Sequence, residues 1–366
     1  MRVLVVNAGS SSLKLSLIGS GEQPLASQEL EAPGAVVDDD ELRTALGSGG
    51  LGDADAVGHR IVHGGSRFGS AVVVDDSVRR ALGELVDLAP LHQPKSLAAL
   101  DAVSAALPGV PPVACFDTAF HATLSDAAAT YALPAEWNAR WQLRRYGFHG
   151  LSHAWIARQA PAVLGLPPGS PRIVSCHLGA GASLCAIAGG RSVDTTMGFT
   201  PLEGLVMATR SGSVDPGLVL WLIDQGDVSE ADMGYSLEHE SGLLGLAGTA
   251  DMREVLTRSG AGDAAARLAL DTYVHRLRGL VGSMAAALGG LDVLAFTGGV
   301  GERSAEIRAA AAAGLGFLGV AIDPARNESV DGDAEISGAG AAARTVVVRA
   351  REDLEIASQV RALLEG

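Results

Sequence analysis

The chain has 366 residues, a mass of 37.2 kDa and a formal charge of −15 at pH 7, and 48% of its residues are hydrophobic. This length suffices for two domains of ordinary size, and the negative charge argues against nucleic acid or an anionic membrane as a partner. No apolar run is long enough to span a bilayer, and the apolar start VLVV is too short for a signal peptide. Three cysteines without metal spacing suit a reducing compartment, so we expect a cytoplasmic protein.

Short apolar runs predict strands that alternate with helical stretches. In chain order these runs are VLVV, AVGHRIVH, PVACFDTA, RIVSCHLGAGASLCAIAGG, DVLAFTGG and RTVVVRA. The clearest helix covers roughly residues 264–288, where apolar residues recur at three- and four-residue steps and Gly289 and Gly290 end the pattern. The alternation of strands and helices predicts an α/β fold.

Two segments share one plan of strand, polar small-residue tip and strand. They are VVNAGSSSLKLSL and VSCHLGAGASLCAI. The first tip is longer than a hairpin turn needs, and its N–H groups, hydroxyls and the Lys14 ammonium suit a phosphate. A serine-rich surface turn explains this tip equally well. The repeated plan predicts two related domains that turn their tips to one cleft.

A third glycine-rich segment, FTGGVGERS, follows the strand-like run DVLAF and precedes an alanine-rich helix. A strand, a glycine turn and a helix start in succession are typical of a site for an anion or a nucleotide. We therefore expect a glycine turn within this segment that binds an anion or a nucleotide.

Nine motifs resemble, in order, those of acetate kinases, from residue 3 to about residue 357. They are NAGSSSLK, GHRIVHGG, PLHQP, FDTAFH, RRYGFHGLSH, CHLGAGAS, TRSGSVDPG, SGLLGL with ADMRE, and FTGGVGE. The resemblance implies two duplicated α/β domains of the actin-like ATPase (ribonuclease H-like) fold, with the active site in a cleft between them, and a homodimer. It implies an acyl-substrate and phosphate domain of residues 1–147, joined by a C-terminal helix at 353–366, and a nucleotide-binding domain of residues 148–352.

The implied activity is reversible, in-line transfer of the γ-phosphoryl group of ATP to acetate, which gives acetyl phosphate and ADP. A carboxylic acid with a pKa of about 4 is already an anion at neutral pH, so cations and fixed donors are needed rather than a base. Arg60 and Arg210 offer forked donors, although an arginine is ordinarily a surface charge. By resemblance His149 and Arg210 stabilise the transition state. Asp117 would be the active-site carboxylate, and we expect it to position Arg60 or the water shell of the metal.

The resemblance also implies the ligands of a metal and of the nucleotide. Mg²⁺, with Mn²⁺ as an alternative, would be held by Asn7 and Glu352, although the family usually has a Thr and two Glu where this chain reads ARED. ATP or ADP is the co-substrate. The residues implied for the nucleotide are Lys14, His177, Leu178, Gly179, Ala180, Gly181, Asp251, Met252, Arg253, Gly299, Val300, Gly301, Glu302 and Arg303.

An apolar pocket for the acyl tail is implied beside Arg60. Its lining would be Val62, Leu91, Phe148 and Pro201. Such a pocket fits a methyl or an ethyl tail, and one methylene changes binding by only about 1–3 kcal/mol, so propionate is a second substrate candidate.

Two alternatives stay open: a propionate or other short-chain acyl kinase, and a degenerate nucleotide-binding protein without phosphotransfer. The second is motivated by Ala180, which stands where the family usually has Asn. Retention of Arg60, Asp117, His149 and Arg210 argues against it, because a binding module needs none of them. Gln93 in place of the usual Asn is a lesser departure.

Overall fold

The computed structural model describes residues 1–9, 12–31, 39–90 and 92–366. The chain forms two compact units. The first unit comprises Met1–Ala122, Phe148–Trp155 and Arg351–Gly366, and the second comprises Thr123–Gly147 and Ile156–Ala350. The assignment of residues 1–147 with 353–366 to the acyl substrate, and of residues 148–352 to the nucleotide, stays a prediction.

Each unit contains one six-stranded sheet. The strands are β1 Val3–Ala8, β2 Ser12–Ile18, β3 Pro24–Glu31, β4 Ala56–Ile61, β5 Val72–Val73, β6 Pro112–Phe116, β7 Ile173–Leu178, β8 Ala182–Ala188, β9 Arg191–Thr195, β10 Val293–Thr297, β11 Ala334–Glu335 and β12 Arg344–Val347.

Helices cover both sheets. They are α1 Asp39–Gly47, α2 Asp76–Gly83, α3 Gln93–Ala106, α4 Asp126–Ala129, α5 Ala135–Trp141, α6 Gly150–Leu164, α7 Pro216–Asp224, α8 Glu230–His239, α9 Gly242–Ala247, α10 Met252–Gly260, α11 Ala264–Ala287, α12 Gly298–Arg303, α13 Ala305–Ala313, α14 Pro324–Ser329 and α15 Glu352–Glu365, with short 3₁₀ turns at Leu51–Asp53, Val86–Leu88, Ala119–Thr123 and Gly316–Leu318.

The two sheets have the same strand order. The first is ordered β3-β2-β1-β4-β6-β5 and the second β9-β8-β7-β10-β12-β11. In each, three strands run parallel (β1, β4, β6 and β7, β10, β12), and the remaining strands pair antiparallel to their neighbours. The predicted duplicated α/β fold and both predicted hairpins are confirmed.

Helices on both faces of the first sheet explain why most residues of its parallel strands are apolar. On one face Val57 belongs to a core with Leu4 and with Ala99 and Val103 of α3. On the other face α15 lies so close that a Cβ built on Gly58 would be 2.5 Å from Ile356 Cγ2. Neighbouring residues of β4 thus face different helices, as alternation along a strand requires.

The predicted long helix is confirmed as α11, which ends at Ala287. The predicted turn over Gly299–Arg303 is wrong, because these residues belong to the short helix α12, and the alanine-rich helix follows as α13 after Ser304. The glycines that suggested a turn are accommodated by a helix start at Gly298, whose φ of 77° is left-handed.

Candidate active site

Three polar side chains meet where the parallel strands of the first sheet end. Asn7 and Arg60 are the penultimate residues of β1 and β4, and Asp117 follows β6. Arg60 donates through Nη1 to Asn7 Oδ1 over 3.1 Å. It also donates through Nε and Nη2 to the two carboxylate oxygens of Asp117, over 3.1 and 2.6 Å. This bidentate contact is the one that a positioning role for Asp117 requires.

A second carboxylate approaches Arg60 from α15. Glu352 is the first residue of that helix, and its Oε2 lies 3.7 Å from Arg60 Nε. The closeness depends on Gly58, which leaves room for α15 against the sheet. A glycine two residues before Arg60 therefore helps to bring Glu352 to the guanidinium.

Burial and charge act together in this cluster. The side chains of Arg60, Asp117 and Glu352 are 20%, 2% and 18% exposed. Burial lowers the pKa of Arg60, but the charges of Asp117 and Glu352 outweigh it and leave that pKa raised. Burial raises the pKa of Glu352, which Arg60 partly offsets. With all three ionised, one positive and two negative charges leave the cluster with one negative charge.

Arg60 keeps donors for a further ligand. Its hydrogen bonds to Asn7 and Asp117 use three of the five guanidinium N–H groups. One N–H remains on each Nη atom. Two such donors can bind a carboxylate or a phosphoryl oxygen pair.

His149 is fixed beside Asp117 by the backbone. The Gly150 N–H donates to the Asp117 carbonyl oxygen over 2.7 Å, and a Cβ at Gly150 would lie 2.2 Å from that oxygen. His149 itself has a φ of 56°, in the left-handed region that non-glycine residues seldom adopt. Such strain persists only where the surroundings impose it, and it is concentrated at functional sites.

Two of the predicted acyl-pocket residues are buried in the first unit. Val62 is 9% and Phe148 2% exposed. His63 follows Val62, and its ring meets Phe148 edge-on at 5.5 Å. The buried Gln93 accepts the His63 N–H over 3.2 Å and donates to the His63 carbonyl over 3.1 Å. Gln93 therefore fixes the backbone beside Val62. The third predicted residue, Leu91, lies outside the described residues.

Lys14 forms an ion pair with a solvent-exposed acidic residue, Glu29. It lies directly opposite Asn7 across the β1–β2 hairpin and so shares its face. Its ammonium is 3.7 Å from Glu29, and its side chain is 61% exposed. Ser12 Oγ donates to the same Glu29 carboxylate over 2.6 Å. The other two serines of the predicted phosphate tip, Ser10 and Ser11, lie outside the described residues.

A cavity of about 730 Å³ opens in the second unit. Its walls come from the tip between β7 and β8, from α10 and from α12. Eight of the residues predicted to bind the nucleotide line it: Gly179, Ala180, Asp251, Met252, Arg253, Gly299, Val300 and Arg303. The second glycine-rich tip and the third glycine-rich segment, distant in sequence, therefore share one cavity.

The tip between β7 and β8 is held by backbone hydrogen bonds. Gly179 N–H donates to the Gly181 carbonyl over 3.0 Å. The Ala180 carbonyl accepts the Ala208 N–H over 3.0 Å, which ties the tip to the segment that leads to Arg210. Ala180 thus contributes to the shape of the tip through its backbone alone.

Asp251 and Arg253 form a pair at the cavity wall. Asp251 caps α10 by accepting the Arg253 N–H over 2.9 Å, and its carboxylate binds the Arg253 guanidinium over 2.6 Å. The hydrogen bond from the Arg253 side chain lowers the pKa of Asp251 to about 2. The carboxylate is therefore an anionic acceptor at neutral pH, suited to hydroxyl groups.

Arg210 differs from Arg60 in its surroundings. Its Nη1 donates to the carbonyl oxygen of Pro201 over 3.5 Å. Pro201 is the one predicted acyl-pocket residue that belongs to the second unit. Burial lowers the pKa of Arg210, and the charge of Glu238 only partly offsets this. Within the described ranges Arg210 has no ion pair with a carboxylate. A half-buried guanidinium in this state favours an incoming anion.

The backbone of Arg210 is fixed by a glycine. Gly242 has a φ of 63°, and a Cβ there would lie 2.2 Å from the Met207 carbonyl and 2.6 Å from that of Arg210. Met207 N–H donates to the Arg210 carbonyl over 3.1 Å. The loop that carries Arg210 is therefore pinned against the start of α9.

The predicted residues divide between the two units. The first unit contains Asn7, Lys14, Arg60, Val62, Asp117, Phe148, His149 and Glu352, and the second contains Pro201, Arg210 and the other predicted nucleotide residues. His177, Leu178, Gly181, Gly301 and Glu302 belong to the second unit without lining the cavity.

The cavity also has walls that the sequence did not indicate. Tyr273, Ala208 and Leu243 line it. Tyr273 is 3% exposed on α11, so in the sequence it looks like any core aromatic residue. Gln93 and Gly58 lie within motifs that the sequence analysis quotes, but their structural effects depend on residues far away in the chain, so the sequence did not indicate those effects.

Among the described residues, no helix has both the length and the apolar character needed to cross a membrane.

Comparison with known proteins gives a consistent result. The sequence profile of the acetokinase family matches residues 39–358. An acetate kinase from Nostoc sp. is 43% identical over 405 aligned positions, covering 100% of both chains. The crystal structure of Porphyromonas gingivalis acetate kinase superposes with a TM-score of 0.91 at 35% identity, covering 99% of each chain. A propionate kinase from Francisella tularensis gives 0.90 at 34% identity, covering 98% of each.

Proposed function

The chain belongs to the acetokinase family, and on that premise we propose that it transfers the γ-phosphoryl group of ATP to acetate, reversibly, giving acetyl phosphate and ADP. The observation that carries the proposal is the state of Arg60, which Asp117 holds bidentately while one N–H on each Nη atom is left for a ligand. An enzyme that must orient an anionic acceptor needs such a group, and a nucleotide-binding module does not.

The proposed reaction needs no proton transfer. An acetate oxygen attacks the γ-phosphorus, the new C–O–P link forms, and the bond to the β-γ bridging oxygen breaks with both electrons going to ADP. Because the nucleophile is already an anion, the barrier lies in bringing two anions together. The catalyst must therefore supply positive charge and oriented donors.

Three side chains take these roles in the proposal. Arg60 binds the acetate carboxylate through its two remaining N–H groups, and Asp117 keeps the guanidinium in place. Arg210, which lacks an acid partner within the described ranges, donates to the transferring phosphoryl group. His149 donates to another equatorial oxygen, and its backbone anchor at Asp117 supports a fixed position.

The cavity of the second unit is the proposed nucleotide site. Asp251 and Arg253 would contact the ribose and base, and Gly299, Val300 and Arg303 the opposite wall. The N–H groups of the glycine-rich tip would bind phosphate oxygens, and His177 and Leu178 lie on the strand that leads to this tip. We propose Lys14 as a further phosphate ligand. A volume of about 730 Å³ is in the range of sites for small-molecule cofactors.

The chemistry of the acceptor cluster supports a divalent cation. Two carboxylates around Arg60 leave a net negative charge where a carboxylate and a triphosphate would have to bind. Asn7 Oδ1 and the Glu352 carboxylate are hard oxygen donors that approach the same guanidinium. Across the described residues no three His, Cys, Asp or Glu side chains form a metal site. The two oxygen donors Asn7 and Glu352 alone would leave most of the shell to water and phosphate, and on this basis we propose Mg²⁺, with Mn²⁺ as an alternative, on these two residues.

When bound, that cation would neutralise phosphate charge, and the protein's part is to hold the two oxygen donors. Arg60 holds the Asn7 amide through a hydrogen bond of 3.1 Å. The tight packing of α15 against Gly58 holds Glu352.

Propionate is the second candidate acceptor. The likeness to a propionate kinase at a TM-score of 0.90 favours it, and so does the apolar character of Val62 and Phe148, two of the residues predicted to line the acyl pocket. Discrimination of one methylene is worth about 1–3 kcal/mol, so both acids are expected to react at different rates.

We further propose a homodimer that uses α7. This helix reads PGLVLWLID, yet none of its residues is buried in the single chain. Leu220 and Trp221 are 64% and 57% exposed, and Tyr235 on α8 is 58% exposed. Such an apolar surface is typical of an interface between subunits. We also propose a cytoplasmic location, supported by three cysteines that are all buried as free thiols.

Trapping of the acyl phosphate with hydroxylamine tests the proposed reaction. The protein is supplied with MgATP and with acetate, propionate or butyrate in parallel. Hydroxamate should form most rapidly with acetate or propionate. No hydroxamate from any acid, in protein that binds ADP, would refute the kinase proposal and favour a nucleotide-binding protein without phosphotransfer.

A further inference from the structure

We propose that Glu302 is a positioning residue, which fixes one wall of the nucleotide cavity and the chain segment that leads to Glu352 through the same carboxylate oxygen. The proposal rests on the proposed nucleotide site, and it replaces direct contact of Glu302 with the nucleotide by an action through the backbone.

The contacts of Glu302 are made to two distant backbone groups. Its Oε1 accepts the Gly298 N–H over 3.0 Å and the Ala350 N–H over 2.9 Å. Gly298 begins α12 and packs on the tip between β7 and β8, where a Cβ would lie 2.8 Å from the Leu178 carbonyl. A charged acceptor shared by two N–H groups makes strong hydrogen bonds.

The helix α12 is too short to be stable without contacts to other parts of the chain. With six residues, α12 is far shorter than a helix that is stable alone, and its first N–H groups have no partner within the helix. Glu302 supplies a partner at the start. At the end the buried Arg308 donates to the carbonyls of Gly301 and Glu302 over 2.9 and 2.8 Å. The helix is therefore fastened at both ends by side chains.

The two faces of α12 have different tasks. Gly299, Val300 and Arg303 line the cavity, whereas Glu302 does not. The order of a cavity wall on so short a helix depends on the hydrogen bonds that Glu302 and Arg308 make at its two ends. Loosening Glu302 should therefore weaken nucleotide binding without removing any group that touches the nucleotide.

The second bond extends the effect along the chain. Ala350 is the last residue of the second unit and precedes Glu352, the proposed metal ligand, by two residues. One oxygen accepts hydrogen bonds from both Gly298 and Ala350. Its removal should therefore loosen the start of α12 and the segment before Glu352 together. This joint response distinguishes Glu302 from a residue of the cavity wall such as Arg303.

Calorimetric titration with ADP and hydrogen exchange of backbone amides test the proposal. Four variants are compared with the wild type. Glu302→Ala removes the acceptor, Glu302→Asp withdraws it by one methylene, and Glu302→Gln keeps an oxygen at the same reach. Glu136→Gln is the matched control, since Glu136 is exposed on α5 and is outside the proposed site.

For Glu302→Ala and Glu302→Asp we expect the Kd for ADP to rise roughly tenfold to a hundredfold, the range for a lost hydrogen bond to a charged group. Glu302→Gln should stay within about fivefold, because a neutral oxygen still accepts. Glu136→Gln should stay within about twofold, as surface substitutions usually do. Without nucleotide, exchange should quicken in Glu302→Ala or Glu302→Asp at residues 298–303 and at residue 350 together.

Unchanged ADP affinity in Glu302→Ala and Glu302→Asp would overturn the proposal, even if the melting temperature falls, since that pattern marks a purely structural residue. Equal loss in Glu302→Gln and Glu302→Ala would also overturn it. If Glu302→Ala does not fold, the contrast of Glu302→Asp with Glu302→Gln decides. Absence of ADP binding in the wild type refutes the proposed nucleotide site instead, and unchanged exchange at residues 298 and 350 refutes the role of Glu302 independently.

Discussion

Asp117→Asn should separate the orientation of Arg60 from the binding of nucleotide. The substitution keeps the size of the side chain but replaces one acceptor oxygen by an NH₂ group. Arg60 now donates to both oxygens, over 3.1 and 2.6 Å, so one of these N–H groups must lose its acceptor. The guanidinium is then held at one point rather than two and can rotate about it.

The structure sets the size of the effect. A lost hydrogen bond between charged groups costs about 1.5–3 kcal/mol. Breaking a buried ion pair outright costs about 3–5 kcal/mol, but Glu352 still lies 3.7 Å from Arg60 Nε and keeps its charge compensated. We therefore expect the free energy of unfolding to fall by about 1–3 kcal/mol. Misorientation of the acceptor group by about 1 Å should lower kcat/KM for acetate by about a hundredfold.

The assay is hydroxamate formation at varied acetate, together with ADP calorimetry and urea unfolding. Asp101→Asn is the matched control, because Asp101 binds Arg79 with the same bidentate geometry, at 2.7 Å for both bonds, on an exposed surface of the first unit. It should change unfolding by less than about 1 kcal/mol and leave kcat/KM near normal. The reasoning is refuted if Asp117→Asn retains full kcat/KM for acetate, or if it loses ADP affinity as severely as activity.

Four further predictions concern other parts of the molecule. Burial lowers the pKa of His59 to about 3, although the charge of Asp101 acts in the opposite direction. Between pH 6.5 and 3 the imidazole is therefore protonated in the unfolded chain but not in the folded one. The free energy of unfolding should lose about 2 kcal/mol through His59 between pH 7 and 5, and His59→Leu should flatten the pH slope of urea unfolding by that amount. Arg308→Met leaves the carbonyls at the end of α12 without donors and should lower stability by about 3 kcal/mol in the same assay. Trp221→Glu should give monomers in analytical ultracentrifugation, and an unchanged mass would contradict the proposed interface. Ala180→Asn should lower KM for ATP by about tenfold if the added amide donates to a phosphate, and an unchanged KM and kcat would show that the backbone suffices.

The sequence predicted the elements whose pattern is local. The strand runs, both hairpins and α11 follow from periodicity and glycine positions. The two similar hairpins predicted two related domains, whereas the strand order of each sheet was not predicted. The segment Gly299–Arg303 is predicted as a turn because of its glycines, whereas in the structure it belongs to α12, whose ends accept or donate hydrogen bonds with the side chains of Glu302 and Arg308. Glu302 lies within the segment, in its last turn, whereas Arg308 lies beyond it on α13.

The candidate site was predictable only in part. Asn7, Arg60 and Asp117 lie at or just after the carboxyl ends of parallel strands, so their meeting at one edge follows from a parallel sheet. The approach of Glu352 depends instead on the packing of α15 against Gly58, which no local pattern indicates. The pairing of Lys14 with Glu29 depends in the same way on the register of neighbouring strands.

Isotope transfer from acetate tests the central claim most directly. Acetate labelled with ¹⁸O in its carboxylate is incubated with MgATP, and hydroxylamine then cleaves the acyl phosphate at the carbonyl carbon. In direct transfer the acetate oxygen becomes the bridging oxygen, so the released phosphate should carry one ¹⁸O, and only when both substrates are present. Phosphate without the label, formed at the same rate with or without acetate, would mean that water is the acceptor and would contradict the account.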